Sequence, residues 1–77
     1  MEEFVAKKES TLTNKTIAQS EVRSRANVIV VAVKKPREDI VFNPSSEMTI
    51  EVGDTLLLLG NLGDINRFEH IYLGEAP

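Results

Sequence analysis

Few residues of this chain could carry catalytic chemistry. The single histidine, His70, has Asn66 and Gly74 at the positions four residues away, where a second zinc ligand on a helix would stand. Six hydroxyl residues lie between Ser10 and Ser24, but no histidine or lysine is placed in the sequence as an obvious base to activate them. The four glycines do not form a phosphate-binding fingerprint. We therefore expect His70 to be a surface residue, and the chain to be a binding module without catalytic activity or a metal centre.

Carboxylates near the predicted turns offer one alternative site. A divalent cation needs several oxygen ligands, and scattered acidic residues can supply them if the fold brings them together. The residues concerned are Asp39, Glu47, Glu51 and Asp54. We favour the simpler interpretation that they are turn and cap residues. Asp54 in particular follows the turn glycine Gly53, where its side chain can accept a hydrogen bond from the local backbone.

Two arginines offer a second alternative site. Arg23 and Arg25 follow the first predicted helix and precede the most β-branched run of the chain. Two guanidinium groups beside an apolar strand can hold an anion such as phosphate. The competing interpretation is a pair of surface arginines that face water.

Length and composition describe one small globular domain. The chain has 77 residues, 42% hydrophobic and 27% charged, which suffices for a single core. The net charge of −3 argues against a nucleic-acid partner, because phosphate neutralisation needs a basic surface. There are no cysteines, the N-terminus is acidic, and no apolar run approaches the ~20 residues that cross a bilayer. These features fit a reducing compartment and predict no direct membrane insertion, so that any link to a membrane would come through a partner or a missing part of the chain.

Hydrophobic patterning predicts an α+β fold: a small, mostly antiparallel β-sheet with two helices, in the order β-α-β-β-(β)-β-α. The β-branched run 28–33 and the apolar run 55–59 are the clearest strands. The other expected elements are a strand over 2–8, a helix or two short helical turns over 15–25, a strand over 39–42, a partly extended piece over 47–50, and a helix after Asn61. The 28–33 and 39–42 strands should form a hairpin, and Leu12 should reach the core from a loop.

Asparagines mark the expected ends of the helical segments. Asn14 and Asn27 bracket the first segment and suit the left-handed backbone of sharp turns. Asn61 is the expected N-cap of the last helix, with Asp64 returning a hydrogen bond to it.

The last helix should bury one apolar stripe. Its members are expected to be Ile65, Phe68 and Ile71, with Leu73 beyond them. Gly74 should end the helix, and residues 75–77 should fray.

The two central strands are apolar on both faces, which is unusual for a sheet that helices cover on one side. An exposed row of such side chains would make a patch prone to association. We therefore expect a second copy of the chain to cover this face in a two-fold homodimer. The alternative is a strand buried within one copy.

Several motifs together resemble one family. The stretch Leu12-Thr-Asn-Lys-Thr-Ile17 is similar to the "L-x-G-K-T-L" entry of the RCK C-terminal domain, also called the TrkA-C domain. Val22-Arg-Ser-Arg25 resembles its "L-R-x-R" segment, and the run 28–35 its "V-x-V-V-A-I-x-R" strand. Asn43-Pro44, followed by Gly53-Asp-Thr-Leu and an apolar run to Gly60, resembles "N-P…G-D-x-L-x-x-x-G". The order and spacing of these motifs, over about residues 4 to 72, carry the resemblance.

The resemblance implies a non-enzymatic, ligand-sensing and dimerising cytoplasmic domain that controls potassium or other monovalent cation transport. Such domains belong to potassium channels, potassium-uptake systems, cation–proton antiporters and permeases, so residues 1–77 would be one domain of a larger parent protein. A purely structural dimerisation module and a divalent-cation-sensing domain are the alternatives. Some members bind cyclic di-AMP across the dimer interface, and others bind divalent cations.

The resemblance also implies where a ligand would bind. In cyclic di-AMP binders the site matches Val22-Arg23 and the start of the next strand, and Arg23 corresponds to the family arginine. With the neighbouring arginine and the Asn-Pro motif, the candidate ligand-binding residues are Val22, Arg23, Arg25, Val28, Ile29, Asn43 and Pro44. The sequence departs from the family at Asn14 and Asn27, where glycine is usual. It also departs at Ile29, where a compared binder carries a polar residue, which argues against a cyclic dinucleotide.

Overall fold

Six short strands and three helices follow one another along residues 1–72, which are the residues that the structure, a computed structural model, describes. In chain order the elements are β1 (Glu2–Val5), β2 (Lys15–Thr16), α1 (Ile17–Ser20), α2 (Val22–Ala26), β3 (Ile29–Lys34), β4 (Ile40–Phe42), β5 (Thr49–Ile50), β6 (Thr55–Leu59) and α3 (Leu62–Tyr72). The predicted α+β class is confirmed, and the first helical segment is the pair of short helices α1 and α2. None of the helices within residues 1–72 has the length and apolar character needed to cross a membrane.

The main sheet has the strand order β1-β6-β3-β4, and every neighbouring pair is antiparallel. β3 and β4 form the predicted hairpin, whose turn contains Arg37 in the left-handed region at φ 63°. A register shift between Val30 and Ala32 marks a β-bulge in β3. β2 and β5 form a separate two-stranded sheet. The sequence pattern did not predict β2, because its two residues were assigned to the start of the helical segment.

The pairing register gives the main sheet two different faces. Directly paired residues point to the same side, so Phe4, Leu56 and Val33 share one face. This inner face is buried against α3. The opposite side, called here the outer face, carries a set of apolar side chains that the described residues leave partly exposed: Val5, Ile29, Ile40, Phe42 and Leu59. The alternative of a central strand buried within one copy is therefore wrong for the ends of β3 and β6.

Aromatic packing connects α3 to the inner face. The ring of Phe68 is fully buried and meets the ring of Phe4 edge-on, with the centroids 5.0 Å apart. Tyr72 packs against Phe68 at 4.8 Å. Leu12 is also fully buried, as predicted.

The buried stripe of α3 differs from the prediction by one residue. Ile65 and Phe68 are buried as expected, but the third member is Tyr72 and not Ile71, which only packs against the edge of the core. Residues at i, i+3 and i+7 lie on one helical face, and this spacing favours Tyr72. The predictions for Leu73, Gly74 and residues 75–77 lie outside the described residues.

The predicted helix cap at Asn61 is confirmed, while the role of Asp64 was predicted wrongly. The Asn61 side-chain oxygen accepts a hydrogen bond from the Asp64 backbone N–H at 2.8 Å. The Asp64 carboxylate accepts hydrogen bonds from Asn27 at 3.0 Å and Arg67 at 2.8 Å instead of returning one to the cap. Asn14 and Asn27 adopt the predicted left-handed backbone, with φ of 66° and 58°.

Candidate ligand-binding site

A pocket of about 250 Å³ lies where α1, α2 and the start of β3 meet. It brings together four of the residues predicted from the sequence: Val22, Arg23, Val28 and Ile29. Val22 and Val28 are buried and provide the core side of the pocket, whereas Arg23 is exposed and places a positive charge at its rim. Ile29 is 44% exposed and belongs both to the pocket and to the outer face of the sheet.

The joint between α1 and α2 turns Val22 towards this pocket. α1 begins with a capping box, in which Thr16 and Gln19 exchange side-chain and backbone hydrogen bonds of 2.9 and 3.1 Å. It ends at Glu21, whose left-handed backbone (φ 56°) also starts α2. Because this conformation bends the chain sharply, the two short helices do not merge into one straight helix.

Four further lining residues were not predicted as part of a site: Ile17, Ala18, Val30 and Ser46. Ile17 and Ala18 were recognised as the apolar face of the helical segment, so their pattern carried a usable signal. Ser46 carried none, because tertiary hydrogen bonds place it. Its backbone oxygen accepts from the Ala18 N–H at 2.8 Å, and the Met48 oxygen accepts from the Ile17 N–H at 3.1 Å.

Three predicted residues do not line the pocket: Arg25, Asn43 and Pro44. Arg25 is exposed on α2, and its positive charge acts to lower the pKa of Tyr72. Asn43 has a left-handed backbone (φ 50°) and donates its N–H to the Val31 oxygen at 2.8 Å, so it terminates the β3–β4 pairing. The Asn-Pro motif thus sets the path of the loop that presents Ser46.

Tyr72 contacts α1, one of the helices that form the pocket. Its hydroxyl donates a 2.6 Å hydrogen bond to the backbone oxygen of Ser20, the last residue of α1. Burial raises the pKa of Tyr72, since an ionised phenol would lose its hydration, and the Arg25 charge opposes this only in part. The hydroxyl therefore stays protonated and continues to donate over the physiological pH range.

A second polar cluster lies at the turn before β6. The Lys35 ammonium group contacts Asp54 at 2.6 Å and Glu51 at 3.1 Å, and it also donates to the Thr49 oxygen at 3.2 Å. Burial lowers the pKa of Lys35, but the hydrogen bonds to Asp54 and Glu51 outweigh it, so the pKa is raised. Asp54 also accepts from the Glu51 N–H at 2.9 Å, which is its predicted role in the turn.

A divalent cation has no obvious place in this cluster. Within residues 1–72, no three acidic or histidine side chains come together as a metal site. The lysine ammonium group already occupies the space between Glu51 and Asp54. His70 is exposed on α3, as predicted.

The chemistry of the pocket suits a ligand that is both apolar and anionic. Its walls are mainly aliphatic, and among residues 1–72 the one charged side chain that lines it is the Arg23 guanidinium group. Aliphatic walls accept a flat, weakly polar ring, and a guanidinium group binds a phosphate with two parallel hydrogen bonds. The volume of about 250 Å³ is below the ~300–1,000 Å³ usual for small-molecule sites.

One family model and several known proteins are similar to this chain. The family model of the TrkA-C domain matches residues 1–72. The K(+)/H(+) antiporter subunit KhtT of Bacillus subtilis is 30% identical over 77 residues, which are 99% of this chain and 47% of that protein. The chain thus spans about half the length of this relative.

Two solved structures have closely similar folds. The RCK_C domain dimer of Streptococcus agalactiae BusR in complex with c-di-AMP superposes with a TM-score of 0.82 over 95% of this chain and 89% of that one, at 19% identity. The RCK C domain of the potassium transport protein KtrA, also in complex with c-di-AMP, has a TM-score of 0.80 and 26% identity over 90% of this chain and 78% of that one.

Proposed function

The chain belongs to the TrkA-C domain family, and we propose that it is the ligand-sensing, dimerising regulatory domain of a potassium channel or cation transporter. The pocket formed by α1, α2 and β3 carries this proposal, because it combines aliphatic walls with one guanidinium group. The domain would bind and not catalyse. Its location would be the cytoplasmic face of the membrane, reached through the parent protein.

The ligand we propose is a cyclic dinucleotide, with cyclic di-AMP as the first compound to test. The structures of the similar BusR and KtrA domains are of complexes with that molecule. In this chain Arg23 would bind a phosphate, and Val22, Val28 and Ile29 would contact a base. Ile29 departs from the polar residue of a compared binder, but an aliphatic side chain provides a suitable surface for the flat face of an adenine.

One copy of the chain supplies only half of such a site. The pocket is smaller than a typical small-molecule site, and it opens at Ile29 onto the exposed outer face of the sheet. A second copy that covers the outer face would bring a second pocket beside the first. A ligand with two equivalent halves fits a two-fold arrangement of this kind.

Ligand binding would act on the parent protein through the dimer. A ligand held between two copies stabilises one dimer geometry over others, and a differential affinity worth ~1–3 kcal/mol is enough for regulation. The relative KhtT is an antiporter subunit of which this chain matches 47%. We propose that residues 1–77 are likewise one domain of a larger protein.

The test is isothermal titration of cyclic di-AMP into the protein and into two arginine variants. Arg23→Ala should weaken binding by about tenfold or more, since a charge-assisted bidentate contact is lost (~1.5–3 kcal/mol). Arg25→Ala is the matched control, because it removes the same charge from the same helix but does not line the pocket. Equal losses in both variants would show a general charge effect and reject the pocket. If the unsubstituted protein gives no heat of binding, cyclic di-AMP is excluded as the ligand.

A purely structural dimerisation module is the second candidate function. The exposed apolar outer face favours it, because that face would associate whether or not a ligand is present. A stable dimer without a response to cyclic di-AMP, other nucleotides, Ca²⁺ or Mg²⁺ in a thermal-shift screen would support this candidate over the sensor.

A further inference from the structure

The outer face of the main sheet carries two charged side chains among its apolar residues. Directly paired residues form rows across the sheet, and one row joins Glu3, Leu57 and Ala32. Leu57 lies between two buried leucines of β6, so this row points outward. Lys34 pairs with Thr55 in the next outward row. Among the strand residues within 1–72, Glu3 and Lys34 are the charged ones on the outer face.

Neither charge has a partner of opposite sign within one copy. Both side chains are exposed. The ion pairs of residues 1–72 are made by Lys35 and Arg67, and the Lys34 ammonium group donates only to the backbone oxygen of Lys35, at 3.4 Å. Glu3 lies two strands and one row away from Lys34, which corresponds to about 12 Å between their Cα atoms at the usual sheet spacings.

Covering the outer face would remove both charges from water. A charge that enters an apolar contact without a partner costs several kcal/mol. In a two-fold contact every interaction occurs twice, so Glu3 of each copy can meet Lys34 of the other. Two ion pairs then form at once, and no charge of the covered face is left unpaired.

Other two-fold axes in the plane of the contact leave these charges unpaired. An axis parallel to the strands, midway between β6 and β3, sets Glu3 against the Phe42 ring of the other copy. Lys34 then faces Thr55. An axis across the strands through Leu57 sets Glu3 against Glu3. An oblique axis, along the perpendicular bisector of the line from Glu3 to Lys34, pairs both charges and crosses the two sets of strands at a large angle, as in orthogonal sheet packing.

The oblique axis also brings the apolar residues together. By the pairing register it passes between Leu57 and Ala32, at the centre of the face, and continues beside Ile29. Phe42 of each copy then lies opposite Leu59 of the other, and these side chains are 70% and 48% exposed in one copy. Because Ile29 also lines the ligand pocket, the pockets of the two copies come together near the axis.

We propose that the outer faces of two copies pack around this oblique two-fold axis, with reciprocal ion pairs between Glu3 and Lys34 that set the register of the dimer. This inference rests on the proposed homodimer and adds to it the contact that excludes other registers. The apolar side chains drive association, and the charges select one arrangement because the others leave them desolvated without a partner.

Charge reversal tests the register in solution. Glu3→Lys and Lys34→Glu each set like charges against each other at both symmetric contacts. Each should weaken self-association about tenfold or more in sedimentation equilibrium, equivalent to ~1.4 kcal/mol. Glu2→Lys is the matched control for the first, because Glu2 is on the same strand but pairs with buried Leu58 on the inner side. Lys15→Glu, on the separate two-stranded sheet, is the control for the second.

Complementary variants should recover association. A mixture of Glu3→Lys with Lys34→Glu restores opposite charges at both contacts. The double variant does the same without a change in net charge. Both should associate within about twofold of the unsubstituted protein, and circular dichroism checks that each variant is folded. Single variants that associate normally, or a mixture that associates no better than its components, would overturn the proposal.

Zero-length cross-linking tests the contact directly. A carbodiimide condenses the Glu3 carboxylate with the Lys34 amine to an amide and is itself hydrated to a urea. In an equal mixture of unlabelled and isotopically labelled protein, we expect cross-linked peptides that combine the two labels. Their absence from a protein that is dimeric in sedimentation would also reject the ion pairs.

The results separate this register from the proposed function. If Leu59→Ser weakens association and the charge variants do not, the outer-face dimer stands and the ion pairs are rejected. A protein that is monomeric at every concentration would reject the ion pairs and the homodimer together. Binding of cyclic di-AMP is measured independently, by titration.

Discussion

At the scale of single residues, Tyr72 joins the end of α3 to the end of α1. Its hydroxyl donates to the Ser20 oxygen at 2.6 Å, and Ser20 is buried. Tyr72→Phe keeps the ring against Phe68 but leaves that carbonyl without its donor. We expect the free energy of unfolding to fall by about 1–2 kcal/mol, measured by urea denaturation. An unchanged free energy would mean that water replaces the hydroxyl.

The Tyr72→Phe variant also separates two groups whose deprotonation lowers the stability of the protein at alkaline pH. The pKa values of Tyr72 and Lys35 are both raised in the folded protein. Each group's contribution is therefore complete below its ordinary pKa, 10.0 for tyrosine and 10.5 for lysine, and is lost as pH rises through the raised value. Thermal unfolding temperatures should fall above about pH 10, and Tyr72→Phe should show a shallower fall. An equal slope would assign the effect to Lys35 alone.

Asp54 is the residue on which the turn before β6 depends. Its side chain is 1% exposed, one oxygen bonds both Lys35 and the Glu51 N–H, and the other oxygen has no partner among the described residues. We expect Asp54→Asn to destabilise the fold by about 2–4 kcal/mol, since the lysine loses its buried partner. Glu51→Gln is the control: Glu51 is 64% exposed and should contribute less than about 1 kcal/mol. Similar losses in urea denaturation would contradict this ranking.

At the scale of elements, the joint between α1 and α2 contains backbone strain. Glu21 adopts φ 56° and makes no side-chain cap hydrogen bond. A non-glycine residue in this region costs about 1–2 kcal/mol, of which glycine recovers part after its own entropic cost.

Glu21→Gly should therefore stabilise the protein by about 0.5–1 kcal/mol. Glu21→Ala keeps the strained backbone and should have little effect, which makes it the control. Chemical denaturation of the three proteins measures the difference. If alanine stabilises as much as glycine, side-chain charge and not backbone conformation is responsible.

At the scale of the whole molecule, the outer face of the sheet is the surface through which we propose that two copies form a face-to-face dimer. Phe42 is 70% exposed and Leu59 48%, on strands that flank β3. Burial of one such side chain contributes about 1.5–3 kcal/mol, so Leu59→Ser should weaken face-to-face dimerisation by about tenfold or more. Leu62→Ser, equally apolar and 75% exposed but on α3, is the control. Sedimentation at micromolar concentration measures the effect, and equal weakening would exclude the outer face.

Much of the local structure followed from residue types. β-branched and leucine runs specify β3 and β6 because extended backbone accommodates them, and asparagine tolerates the left-handed turns at positions 14 and 27. The motifs also brought Val22, Arg23, Val28 and Ile29 to one site. This was possible because Val22-Arg23 and Val28-Ile29 are close in the chain, separated only by the end of α2 and the turn at Asn27.

What the sequence alone determined was the class of fold, the family and four neighbouring residues that line one pocket. The tertiary structure decided the rest. Ser46 reaches the pocket through backbone hydrogen bonds to α1, Tyr72 replaces Ile71 in the core, and Arg25 does not line the pocket. The structure also decided which apolar strand residues stay exposed, because the bulge in β3 and the pairing register assign each side chain to a face. Contacts between distant segments have no signature in local spacing, and only the packed chain establishes them.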